Sequence, residues 1–495
     1  MVDREEINIV WLKRDLRLQD NEAIYNALRA KKRVLFLYVF ENSLINDPHY
    51  SERHWNFIKQ SLVDINEDLK GFNTKVLAVT SEVITVFNQL QNYFKINTVF
   101  SHQETGLLIT YKRDKDFTRY CRNNNINWVE NNNNGVLRGL LNRADWFEKW
   151  DEYMNSSQIT CTFKSTAFIP VDAIKTAERS FSIANLSTEN HGNFQEGGTK
   201  MAWRYADTFL QDRHKDYMYH ISKPALSRVS SSRLSPYIAW GNISIRQIYQ
   251  KALNYITEKN KRHLGAFISR LRWQAHFIQK FEMEHTMEEA SINKGYHKLK
   301  KSISITYQQA WKEGNTGFPL VDASMRCLVE TGYLNFRMRS LLVSFFTHIL
   351  WQPWQDATHH LSQQFLDFEP GIHFPQMQMQ AAETGINHVR IYNPIKNSLE
   401  HDADATFIKK WVPELANLPL AFIHQPYLMT PLDEQFSNFK LGEDYPFPIV
   451  NGKSARQKAS DILFGMQKNP EVLIENYRIL KKHTLSDRNR MLKNE

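Results

Sequence analysis

The sequence predicts an α/β N-terminal lobe built on a doubly wound parallel sheet, followed by an all-α C-terminal domain. Two observations carry that prediction. Over residues 7–131, short apolar runs alternate with longer amphipathic segments, the pattern of successive βαβ units. From about Lys200 onward the β-branched alternation disappears and large apolar residues recur at helical spacings. A chain of 495 residues is also too long for one ordinary core.

Taken in order, residues 7–12, 33–40, 75–80, 97–101 and 128–129 read as strands, and segments between them, such as 55–69, carry helical spacing. The asparagine run 131–134 with Gly135 is a breaker, and the polar, irregular stretch that follows to Thr199 reads as a connector. The expected organisation is therefore an α/β domain over 1–131, a connector over 132–199 and a helical domain over 200–495. In the helical part, Trp240, Phe267, Leu271 and Phe277 belong to the expected core, and the last helix ends near Lys481 and Lys482.

Composition narrows the function classes. Hydrophobic residues make up 42% and charged ones 23%, ordinary for a folded globular chain. The formal charge of +9 is compatible with a nucleic-acid partner, or with a solvated positive face. Three scattered cysteines give neither a disulfide framework nor a CxxC site, and exclude a four-cysteine cluster within one chain. The start, M-V-D-R-E-E, has no secretory pattern, and no run is long enough for a membrane span. The expectation is a soluble cytoplasmic protein with no membrane partner and no metal.

Two segments carry ligand chemistry. Within 231–235, serines flank Arg233 just before Pro236, where a helix can begin, and hydroxyls with free N–H groups at a helix start suit phosphate oxygens. N-capping alone would explain the same residues. The second segment opens T-G-F-P-L-V-D-A-S-M-R-C-L-V-E-T-G-Y-L-N-F-R-M-R-S at Thr316. Pro319 suits a first helical position, Gly332 a helix end, and the next helix carries Arg337 and Arg339. Buried arginines need anions, and Asp367 and Glu369 are candidates downstream. Gly452-Lys453-Ser454 is like the end of a P-loop, but Phe447 stands at the required first glycine.

These blocks resemble those of the photolyase/cryptochrome family. I-N-I-V-W-L-K-R-D-L-R-L-Q-D-N (7–21) resembles its opening strand and loop, and S-S-R-L-S-P-Y-I-A-W-G-N-I-S (231–244) its flavin phosphate loop. The 316–415 stretch, with R-I-Y-N-P and H-D-A-D-A-T-F-I-K-K-W-V-P-E-L, resembles its FAD-binding half, and Y-P-F-P-I-V-N-G-K-S-A (445–455) its closing signature. The resemblance implies an α/β lobe of the kind that holds an antenna pigment and a helical FAD-binding domain. It implies that Ser231, Ser232, Arg233, Leu234 and Ser235 hold the FAD diphosphate, that Tyr219 is a further flavin contact, and that Arg339, Asp367 and Glu369 meet the flavin ring and ribityl chain.

Other matched positions depart from the family pattern. His373 stands where an asparagine usually faces flavin N5, and an imidazole there would titrate near neutrality. Of the usual three electron-supplying tryptophans only Trp354 has a match; Met377 takes the inner position and the outer one falls near Lys301, leaving Trp351 and Tyr392 as substitutes. Trp273 matches a tryptophan that stacks on a flipped pyrimidine dimer. Around it Arg270 replaces a base-reading group, Phe336 an asparagine and Met379 a second stacking tryptophan, while Arg337 remains as a DNA-phosphate contact. Glu104 resembles a folate-contacting residue of some members, although a surface glutamate is the plainer reading, so the antenna chromophore stays undetermined.

The function implied is that of a deoxyribodipyrimidine photolyase, a carbon–carbon lyase that repairs cyclobutane dimers in DNA with reduced FAD as electron donor. The alternative is a cryptochrome-type blue-light photoreceptor with little or no repair.

Overall fold

The computed structural model describes residues 4–188 and 193–484. The N-terminal lobe holds a five-stranded sheet in the order β3-β2-β1-β4-β5, with β1 Glu6–Leu12, β2 Arg33–Glu41, β3 Val76–Ser81, β4 Lys95–His102 and β5 Asn127–Asn131. Every pair is parallel; Ile9 of β1, for example, sits between Leu35 of β2 and Val99 of β4. Each expected strand is present; β3 is shifted by one residue, and the others extend by one or two residues at one end or both. The helix foreseen over 55–69 runs Glu52–Leu69, opened by a capping box between Ser51 and His54.

The near-continuous apolar runs have a structural cause: both faces of the sheet are buried. Ile7, Ile9, Trp11, Leu35, Leu37 and Val79 point into a core private to this lobe. Their period-two neighbours Val10, Leu12, Val34, Phe36 and Phe40 point the other way, into a core shared with the helical part. The lobes are therefore joined through apolar packing.

The connector is less irregular than its sequence suggests. It contains the helices Trp146–Asn155 and Val171–Glu178, and Trp146 and Trp150 are fully buried. In the helical part, Lys261–Met283 is a long central helix. Pro319–Thr331 begins on its proline and stops at Gly332, whose φ of +67° provides the left-handed cap foreseen there. The next helix, Phe336–Ser344, is capped by Asn335 and continues as a π-turn over Phe345–Ile349.

Two glycines show why the signature blocks look as they do. A Cβ on Gly241 would lie 2.3 Å from the Arg14 carbonyl oxygen, so the W-G-N turn meets the opening block backbone to backbone. Trp240 O accepts from Leu16 N at 3.2 Å across the same joint. A Cβ on Gly317 would lie 2.5 Å from the Phe447 carbonyl, which locks T-G-F-P against Y-P-F-P. Buried Asp322 ties these two blocks further by accepting from Thr316 N at 2.9 Å, Gly317 N at 3.1 Å and the Tyr445 hydroxyl.

Candidate functional site

The phosphate-loop residues lie between the helices Pro224–Ser230 and Ser235–Ala239. Arg233 adopts φ +59°, which turns the chain sharply between the serines. Arg213 supports the loop from behind, donating to the carbonyls of Ser231, Ser232 (3.3 Å) and Tyr205 (2.7 Å). Ser231 Oγ is 3.0 Å from the Tyr333 hydroxyl, and Ser232 Oγ accepts a 3.4 Å bond from Leu234 N. Leu234 itself is buried in the core.

The Arg233 guanidinium lies 3.9 Å above the Tyr333 ring, with a buried Nε that has no partner. Burial lowers its pKa, and the described groups that oppose this are Tyr333, Tyr205 and Cys327 and not a carboxylate. Hydroxyls, a tight turn and an orphaned guanidinium N–H form a donor set that fits a diphosphate. By contrast Tyr219 is 58% exposed and packs 5.2 Å from His263, on the surface side of the same region.

One turn of helix brings the second group in. Arg339 forms a fork-to-fork pair with Asp367, at 3.0 and 2.8 Å, while its Nε donates to Leu334 O at 2.8 Å. Burial works against the Asp367 carboxylate, but Arg339 and the Ser235 hydroxyl outweigh it and hold its pKa below the usual range. Ser235, Arg339 and Asp367 thus form one connected unit.

Glu369 turns elsewhere. It accepts from Arg14 of the N-terminal lobe at 3.3 Å, and Arg14 also reaches Tyr50 at 3.3 Å and the carbonyls of Phe368 and Ala239. Burial pushes Glu369 up to about 7, with Arg14 opposing it. The partner of this carboxylate is a cross-lobe arginine that the sequence reading did not single out; the R-D-L-R motif was its only trace.

Two expectations are corrected. His373 does not titrate near neutrality: burial, with the nearby charges of His49 and Arg339, pushes it down to about 3. It is a neutral imidazole, edge-on to Phe368 and Phe374 at 5.3 and 5.4 Å, with Nε2 unpaired. Glu104 is not a surface residue. It is buried beyond the end of β4, bound by Arg113 at 2.6 Å and 3.8 Å from Arg14. The strand order reverses between β1 and β4, so these charges fill the topological switch point of the sheet.

Trp354 is fully buried, and its indole N–H donates to Ser291 Oγ at 3.0 Å. Ser291 in turn donates to Glu383 at 2.6 Å, and Glu383 pairs with buried Lys301 at 3.1 Å. Lys301 lies 5.3 Å from the Trp351 ring. A buried ion pair therefore occupies the neighbourhood of the outer tryptophan position, and Met377 is buried at the inner one. Trp273 is half-buried on Lys261–Met283, next to His276 and Phe277. Arg270 is exposed and bonds the Tyr217 hydroxyl, Phe336 is half exposed, and Met379 is half-buried. Arg337 lies 5.9 Å from the Tyr392 ring. Among the described residues no cluster of metal-ligating side chains occurs, and no helix is long and apolar enough to cross a membrane.

Comparison with known proteins places the chain in a family. Residues 8–138 match the family described as DNA photolyase, and residues 267–464 the FAD binding domain of DNA photolyase. The chain belongs to the photolyase/cryptochrome family. It is 25% identical to the deoxyribodipyrimidine photo-lyase of Alkalihalophilus pseudofirmus, over 94% of this chain and 99% of that one. It is 27% identical to a cryptochrome DASH of Synechocystis sp., over 90% and 95%. The fold matches a Synechocystis cryptochrome structure with a TM-score of 0.83 (22% identity, covering 93% and 100%). It also matches a class III photolyase from Agrobacterium tumefaciens with a TM-score of 0.80 (21% identity, covering 95% and 99%). FAD is the cofactor of the helical lobe in this photolyase/cryptochrome chain.

Proposed function

We propose that this protein is a light-dependent DNA repair enzyme acting on cyclobutane pyrimidine dimers. Bound in the reduced state, FAD would supply the electron that splits the dimer; the protein's own residues bind, orient and shield. The serine loop with Arg233 would hold the diphosphate, and Arg339, locked by Asp367, would present positive charge beside the flavin and favour an anionic reduced form. Neutral His373 would add a buried ring nitrogen without adding charge. The observation that carries the reading is the connected Ser235–Asp367–Arg339 unit together with a half-buried tryptophan, Trp273, on the central helix. That ring offers a flat apolar surface to an extruded pyrimidine pair, and Arg337 a cation to the strand.

A photoreceptor role of the cryptochrome type is the second reading. The altered surroundings of Trp273 favour it, because Arg270, Phe336 and Met379 stand where base-reading and stacking groups are usual. Trp273→Ala separates the two. Under the repair reading it keeps the flavin absorbance of the parent and loses restoration of dimer-containing oligonucleotide by illuminated, chemically reduced protein. Restoration at the parental rate would contradict the role of Trp273 in the dimer pocket.

A further inference from the structure

Arg143 lies in the connector, just before the helix Trp146–Asn155, and is fully buried. Its Nη1 donates to His276 O at 3.3 Å, but Nε and Nη2 are buried without partners. Its guanidinium lies 4.3 Å from the Trp146 ring, whose indole N–H is also buried and unpaired. No described carboxylate raises its pKa; burial alone acts on it and lowers it to about 9.

The face of Lys261–Met283 that meets Arg143 adds a cation, Lys280, and a histidine, His276, that burial and Arg143 push toward the neutral form. His276 lies 6.4 Å from the Trp146 ring and has an unpaired, buried Nδ1. Lys280, one turn further on, is buried, and burial together with Arg143 lowers it to about 8. The one carboxylate acting on Lys280, Glu284, is already shared by Arg478 (2.9 Å), Lys482 (3.3 Å) and His483 (2.9 Å). The Arg143 guanidinium and the Trp146 indole N–H thus lie together with no described anion, and Lys280 shares the helix face of His276, whose carbonyl Arg143 reaches. Isolated buried charge is costly, and buried donors are ordinarily satisfied.

We propose that Arg143, Lys280 and Trp146 form a binding site for a small phosphate-type oxyanion, separate from the serine loop. A guanidinium fork, an ammonium and an indole N–H present donors from several directions, as a tetrahedral oxyanion requires. The guanidinium is too deep for a nucleic-acid backbone, so the ligand is a free anion.

The test is thermal unfolding of the flavin-loaded protein titrated with inorganic phosphate, against sodium chloride of equal ionic strength. Phosphate should give a saturable rise in Tm of roughly 3–5 °C at a hundredfold excess over Kd, as expected for a ligand that binds only the folded state. Arg143→Met should abolish that response and, by removing an unpaired buried charge, should leave the phosphate-free protein at least as stable as the parent. Lys280→Met should weaken the apparent Kd about tenfold, the worth of one charge-assisted hydrogen bond, and it carries the same test should Arg143→Met not fold. An equal shift with chloride, or an unchanged phosphate response in both variants, would overturn the proposal. So would a phosphate response accompanied by loss of flavin absorbance, which would place the anion at the serine loop, or one displaced by a dimer-containing duplex.

Discussion

At His373, burial and neighbouring positive charge keep the imidazole neutral down to about pH 3, whereas a free imidazole protonates near 6.5. Between those values the unfolded chain binds one more proton at this position than the folded one. Its contribution to stability is therefore complete above 6.5 and is lost as the pH falls toward 3. His373→Asn should flatten the fall in unfolding free energy below pH 6.5 by about 1.4 kcal/mol per pH unit, one proton's worth. Urea unfolding at several pH values measures this; identical slopes in parent and variant would mean that the imidazole protonates equally in both states. Position 373 was legible in the sequence as a substitution, but not its neutrality, which depends on Phe368, Phe374 and His49 packed around it. Glu104 failed for the same reason, since nothing local in S-H-Q-E-T-G announces that Arg113 and Arg14 will enclose it.

Among the elements, strands and helix ends were the most legible. Strand positions followed from apolar runs buried on both faces, and the Pro319 start and Gly332 stop followed from local backbone chemistry. The pair Arg339–Asp367 was also foreseeable, because an arginine on an apolar helix needs an anion, although the Arg339 side chain stays 27% exposed and it is Asp367 that is buried. What was missed is how elements meet across the lobes. Arg14, just past β1, holds Glu369 at the start of the helix Pro370–Gln380. Arg14→Met should cost about 3–5 kcal/mol in chemical denaturation above pH 7, because it strands a buried carboxylate. Below about 7 the cost should shrink, since Glu369 is then protonated in both proteins. A pH-independent loss would show that packing of Arg14 against Trp240, and not its charge, holds the joint.

For the whole molecule, the two-lobe architecture was readable from the switch between strand and helix periodicity, whereas the connector was not. Its buried Trp146 and Trp150 belong to the shared core, which only tertiary packing reveals. The charge of +9 becomes informative when measured: binding of lesion-containing duplex should weaken steeply with salt through counterion release. Arg337→Ala should lower the slope of log K against log salt by about one, the share of one phosphate contact. An unchanged slope would remove Arg337 from the DNA face. The central claim is tested most directly by illuminating chemically reduced, flavin-loaded protein anaerobically with an oligonucleotide that carries a cyclobutane dimer, and scoring restored pyrimidines. Light-dependent restoration, absent in the dark, is the predicted result; bound flavin and bound DNA with no restoration under light would contradict it.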